Sequence, residues 1–274
     1  MTDVRPLWRL VITPPAAGSW NMAVDEALAA AGRAAGATPV LRLYQWQPAC
    51  VSLGRHQPLT DVDRARCTAL GYDVVRRPTG GRAILHTDEL TYSVAGSQSD
   101  AALAGAVLDS YLRLSQGLLL GLAHLGVAAE KAPLLARTDS QPGPVCFEVP
   151  SAYEIVVDGK KLIGSAQSRR SGWVLQHGTL PLTGDITRLV EVVHFAEDAA
   201  RAEQRALLHQ RATTVQAVLG RAVPFAEAAA AFVNGFAVAL GINFERRDLD
   251  AAELAQAAEI EQRVYGSAQW TERV

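Results

Sequence analysis

The dipeptide Asp158-Gly159 constrains this chain more than any other feature of its 274 residues. It lies between two runs rich in apolar and β-branched residues, 152–157 (AYEIVV) and 160–167 (KKLIGSAQ). A two-residue Asp-Gly loop in that setting selects a turn that needs positive φ at both central positions, and it closes an antiparallel hairpin. The resulting register sets Val157 opposite Lys160 and Val156 opposite Lys161. Strict alternation then puts Lys161, Ile163, Ser165 and Gln167 on one face.

Around the hairpin, further short strands are expected at 40–46 (VLRLYQW), 51–53, 72–77 (YDVVRR), 83–85, 90–94 and 173–176. Helical composition or spacing marks 21–30, 61–70 and 251–265. Two apolar stripes step by three and four: Leu103, Val107, Tyr111, Leu114, Leu118, Leu122 and Leu125, then Phe225, Ala229, Phe232, Phe236 and Leu240. Both read as core-facing helix surfaces. Strands concentrated between 40 and 180, with helices before, between and after, predict an α+β fold: a mixed, largely antiparallel sheet with helices packed on it. No linker or internal repeat divides the chain, so one domain over 1–274 is expected, with no C-terminal accessory domain.

A net charge of −2 gives no reason to expect nucleic acid or an anionic membrane as partner. The N-terminus lacks an apolar signal region, and the most apolar stretch, 112–126, is interrupted by Arg113, Gln116 and His124. The three cysteines, Cys50, Cys67 and Cys146, show no CxxC spacing. A disulfide framework and a metal site are therefore not expected, and a reducing cytoplasm is.

Candidate chemistry gathers in three places. The run Arg76-Arg77-Pro78-Thr79-Gly80-Gly81-Arg82 joins two strands by a turn. Glycines let a backbone approach a ligand, and guanidiniums with exposed N–H groups suit a phosphate or a carbonyl oxygen. A plain turn with solvated arginines fits the same residues. Lys161 precedes the small residues Gly164, Ser165 and Ala166 on its strand, where something else can come close. Of Lys160 and Lys161, one faces away. Cys146 sits in a Pro/Gly-flanked loop, better placed for reaction than Cys50 or Cys67, which read as small buried hydrophobes. His86 and His177 are placed at strand ends, as hydrogen-bond partners or bases.

Taken together, RRPTGGRAILHTDELTYSV, EIVVDGKKLIGSAQSR and LQHGTL resemble the catalytic domain of lipoate–protein ligases and octanoyltransferases, as do GSWNMAVDEAL, LRLYQWQPACVSLGRHQ, RATTVQAVLGR and VYGSAQW. The resemblance spans about residues 8–271 in one order. It implies the α+β fold of biotin and lipoate ligases, akin to class II synthetase cores. It also implies an acyl pocket lined by Arg76, Gly80, Gly81, Arg82 and His86 and by Gly164, Ser165, Ala166, Gln167 and His177.

Within the family, CFEVPSAYEIVVDGKKLIGSAQ and the reading GGRA, where adenylating ligases read GGGA, resemble the ATP-independent octanoyltransferase branch. That branch implies Cys146 as the acyl-carrying nucleophile, with Lys161 lowering its pKa and no cofactor. The donor implied is octanoyl–acyl carrier protein, the acceptor a lipoyl domain or the glycine-cleavage H protein. Arg55, Arg76, Arg77, Arg169 and Arg170 are candidates for a basic docking face. The alternative is an ATP- and Mg-dependent lipoate ligase, in which Lys161 would contact an acyl-adenylate.

Overall fold

A computed structural model describes residues 5–34, 36–132 and 154–274. Its strands are β1 (Leu7–Ile12), β2 (Val40–Tyr44), β3 (Cys50–Leu53), β4 (Asp73–Arg76), β5 (Ile84–His86), β6 (Glu89–Ser97), β7 (Glu130–Lys131), β8 (Ile155–Val157), β9 (Lys160–Arg170), β10 (Trp173–Pro181) and β11 (Asn243–Arg246). Its helices are α1 (Gly18–Ala31), α2 (Arg64–Ala69), α3 (Val107–His124), α4 (Asp198–Arg211), α5 (Val215–Leu219), α6 (Phe225–Leu240), α7 (Ala251–Ile260) and α8 (Ala268–Thr271).

Eight of these strands form one sheet in the order β11-β1-β2-β6-β10-β9-β8-β7, and β4-β3-β5 form a second, smaller one. This is the α+β architecture expected. The antiparallel part runs from β2 to β7, while β1 pairs in parallel with both β2 and β11. The outer strands β1, β7 and β11 were not anticipated. The helix expected at 61–70 is shorter, beginning at Arg64 where the Asp63 side chain caps the Arg66 N–H.

The hairpin closes as expected: Asp158 and Gly159 have φ of 50° and 74°, and Val157 and Val156 oppose Lys160 and Lys161. The alternation beyond it is corrected by the structure. Ile155 opposes Ile163, so Leu162 is an extra residue on β9, a β-bulge. The bulge reverses the phase of the strand. Leu162 and Ile163 both enter the core beneath α3 and α6, and Lys161 turns to the opposite face from Ile163, Ser165 and Gln167.

One face of the large sheet packs on α3 and α6, the other on α1 and α7. Both apolar stripes bury their central residues as expected: Leu114, Leu118 and Leu122 of α3 meet Phe232 and Phe236 of α6. The helices touch through glycine: a Cβ on Gly235 would lie 2.3 Å from the Gly121 nitrogen and 2.5 Å from the Gly117 carbonyl oxygen. Cys50 and Cys67 are buried in apolar surroundings, as read from the sequence. Burial raises both thiols, Cys67 to about 11. Gly235→Ala should force backbone apart at the α3–α6 crossing and destabilise the fold by about 1–3 kcal/mol, read as a lowered urea midpoint at unchanged slope.

Candidate active site

A cleft with about 100 Å³ of enclosed space opens between the α1 face of the large sheet and the smaller sheet. Its floor comes from neighbouring strands, because Tyr44, Thr91, Thr179 and Gly164 sit in register across β2, β6, β10 and β9. Met22 and Trp46 close one side of it.

The loop at 77–82 forms the opposite wall, and Arg77 holds it. The Arg77 guanidinium donates to the carbonyl oxygens of Ser52, Gly80 and Arg82, each at 2.8 Å. Gly81 has φ of 98°, and a Cβ there would meet Arg77 Nη2 at 2.7 Å. A Cβ on Gly54 would strike the Gly81 carbonyl oxygen at 1.9 Å. The glycines are therefore needed for close backbone approach and for the left-handed conformation.

Two histidines face the cleft, each held between a carboxylate and a hydroxyl. His86 Nδ1 lies 2.7 Å from Glu89 Oε1, and its Nε2 lies 2.7 Å from Ser52 Oγ. Its ring stacks on Trp46 at 4.0 Å. His177 Nε2 lies 2.6 Å from Thr79 Oγ1, and its Nδ1 lies 3.4 Å from Asp25 Oδ2. A carboxylate only accepts, so in each neutral ring Nδ1 carries the proton and the hydroxyl donates to Nε2. His86 ends β5 as expected, whereas His177 is central in β10 rather than at its end.

Asp25 anchors this arrangement from α1. It is fully buried and accepts from Arg42 Nη1 at 2.8 Å, Ser93 Oγ at 2.8 Å and Tyr44 OH at 2.9 Å, besides facing His177. Burial alone would raise its pKa, but Arg42 and His177 together hold it below the ordinary carboxylate value.

Lys161 is 1% exposed, and its Nζ donates to Glu154 Oε1 at 2.5 Å. Its stem fills the space left by a missing side chain: a Cβ on Gly164 would lie 3.0 Å from Lys161 Cε and 3.3 Å from Nζ. Glu154, Gly164, Ser165 and Ala166 line the cleft beside it.

Of the residues named from sequence, the structure thus brings together Gly80, Gly81, His86, Gly164, Ser165, Ala166 and His177 around one cleft, with Lys161 at its edge. Three others lie elsewhere. Arg76 is buried and donates to the carbonyl oxygens of Gly54, Gln57 and Thr271, tying down the C-terminal segment. Arg82 points to Asp61 at 3.6 Å. Gln167 turns to the helical side, where it bonds Ser110 on α3 and Gln176. Cys146 lies outside the described residues. Arg76 and Arg77 also leave the expected docking face, since both guanidiniums are spent on backbone carbonyls. Asp25, Glu154 and Ser52 were not singled out in advance; Thr79 was named only within the glycine-loop run, and Arg77 only there and for the docking face. Asn21 and Asp25, four apart in NMAVDEAL, were the available signal, since polar residues one turn apart on a buried helix must find partners.

Residues 17–237 match the family described as Lipoyl protein ligase A/B catalytic domain. The chain belongs to that family. Its relatives include proteins named Octanoyltransferase LipM: one from Carboxydothermus hydrogenoformans, 40% identical over 96% of this chain and 97% of its own, and one from Symbiobacterium thermophilum, 41% identical over 97% and 98%. Among solved structures, one described as a bi-partite lipoate protein ligase and its E2 lipoyl domain from Thermoplasma acidophilum superposes with a TM-score of 0.82 at 23% identity, over 97% of this chain and 96% of that one. Another, lipoate-protein ligase A bound with ATP, gives 0.80 at 24% identity, over 97% and 98%. These two likenesses concern the fold.

Burial holds His177 below the usual imidazole value of 6.5, against the pull of Asp25. The unfolded chain therefore binds the proton more readily than the folded one below that pH, so stability falls as pH falls from 6.5. His177→Gln should flatten the decline of the urea midpoint between pH 7 and pH 5; an equally steep decline in the variant contradicts this assignment.

Proposed function

We propose that the chain moves an octanoyl group from octanoyl–acyl carrier protein to a lysine of a lipoyl domain or the glycine-cleavage H protein, through a thioester on Cys146. The chain is an acyltransferase of lipoate biosynthesis, as its relatives' identity of 40% and 41% over nearly the whole length supports. The observation that carries the mechanism is Lys161, a buried lysine paired with Glu154 and delivered to the edge of the cleft by the bulge at Leu162.

In the first step the Cys146 thiolate attacks the thioester carbonyl of the donor. The carbonyl oxygen gathers negative charge, and backbone N–H groups of the Gly80–Gly81 loop with the Lys161 ammonium suit it. The carrier's thiolate leaves and takes a proton. In the second step the neutral ε-amine of the acceptor lysine attacks the Cys146 thioester, gives up a proton and releases the Cys146 thiolate. One thioester is exchanged for another and then for an amide, so no ATP, magnesium or other cofactor is required. Of the expected basic docking residues, Arg55 and Arg170 stay half-buried, whereas Arg169 is committed to the carbonyl oxygens of Leu103 and Gly105 on the α3 side. Both protein partners belong to the cytoplasm, which suits the buried free thiols of Cys50 and Cys67. Among the described residues no helix is long and apolar enough to cross a membrane.

The test is transfer from octanoyl–acyl carrier protein to a lipoyl domain without ATP. Cys146→Ala should abolish it, while Cys50→Ala and Cys67→Ala retain it. Undiminished transfer by Cys146→Ala rules the thioester route out, and transfer of free lipoate that requires ATP identifies a ligase instead.

A further inference from the structure

Lys161 cannot hold a charge where it sits without help. An ammonium taken out of water with no counter-charge releases its proton, and buried lysines are pushed down by several pH units for that reason. The stem of Lys161 is enclosed by Gly164, and its nitrogen reaches Glu154 at 2.5 Å, both side chains being 5% exposed or less. Each partner's backbone is fixed from outside the hairpin: the Ala132 N–H donates to the Glu154 carbonyl at 2.7 Å, and the Thr213 N–H to the Lys161 carbonyl at 3.0 Å. Glu154 directly precedes β8 and lines the cleft, and Lys161 adjoins it through Gly164.

Among the described residues, the other charged side chains around the cleft are committed elsewhere. Arg77, across the cleft, is positive and committed to carbonyl oxygens. His86 and His177 are engaged with Glu89 and Asp25. On α4, which packs against β9, His209 and Arg211 are exposed.

We infer that Glu154 is a positioning residue, the carboxylate that keeps Lys161 protonated and its nitrogen in place. The inference rests on the thioester reading and deepens it. It also fixes a sign that simple charge counting reverses. If Lys161 stayed protonated by itself, deleting the Glu154 charge would make the site more positive and the Cys146 thiolate easier to form. If Glu154 maintains the charge, deleting it neutralises Lys161 and the thiolate becomes harder to form.

The experiment is the pH dependence of alkylation at the Cys146-containing peptide, quantified by mass spectrometry in the wild-type enzyme, Lys161→Ala, Glu154→Gln and the double variant. Glu154→Gln should raise the midpoint by about 1–3 pH units, the scale of one lost nearby charge. It should match Lys161→Ala, and the two changes together should add nothing further. An unchanged or lowered midpoint in Glu154→Gln, or full additivity in the double variant, overturns the inference. Glu154→Asp, for use if the glutamine variant does not fold, should raise the midpoint by a smaller step, and coincidence with wild type there overturns it as well. The parent reading is checked separately by octanoylation of wild-type Cys146. If that succeeds and Lys161→Ala shifts the midpoint while Glu154→Gln does not, Glu154 alone loses its role.

Discussion

A carboxylate with no access to water, Asp25, organises this protein. A buried charge is tolerated only when its lone pairs are occupied, and removing one partner of such a set is far more damaging than the set is stabilising. Asp25 meets that demand with Arg42 from β2, Ser93 from β6, Tyr44 from the end of β2 and His177 from β10. Satisfying it fixes α1 against three strands of the large sheet at once. Arg42 is held in turn by Asn21 one turn earlier on α1 and by Thr13. His177 carries the constraint onward to Thr79, and so to the glycine loop that forms the cleft wall.

The cleft is thus bounded by two kinds of device. On the wall, Arg77 and the His86 and His177 pairs leave little rotational freedom to Ser52, Thr79 and the Gly80–Gly81 backbone. Groups held in advance lose little entropy when a ligand binds, and they face developing charge without reorganising. On the floor, the bulge brings Lys161 and Glu154 to the cleft edge as a nearly enclosed ion pair. The proposed chemistry needs both: a rigid cradle for a carbonyl, and a cation beside the nucleophile.

Much of this was legible in the sequence because it is local. The Asp158-Gly159 turn, the apolar stripes of α3 and α6 and the Gly80–Gly81 turn each depend on a few adjacent residues, and each appears where expected. What escaped depends on partners far along the chain. β1 and β11 pair in parallel although more than two hundred positions separate them, and neither segment is distinctive alone. The bulge at Leu162 has no local mark, since Leu162 and Ile163 are both good strand residues. Strict alternation therefore put Lys161 on Gln167's face when it lies on Gly164's. Arg76 and Arg77 look alike in sequence, yet a strand sends neighbours to opposite sides: Arg77 to the cleft, Arg76 to the carbonyl oxygen of Thr271. Asp25 and Glu154 became meaningful only once the groups they pair with were in place.

In the proposed route the acyl group rests on Cys146 between donor and acceptor. The most direct measurement of that route is the mass of the intact protein, with mapping of the modified peptide, after incubation with octanoyl–acyl carrier protein in the absence of ATP. The thioester route predicts a single octanoyl group on the Cys146 peptide, discharged when a lipoyl domain is added. No adduct, together with acyl transfer that appears only when ATP and a free acid are supplied, would contradict it.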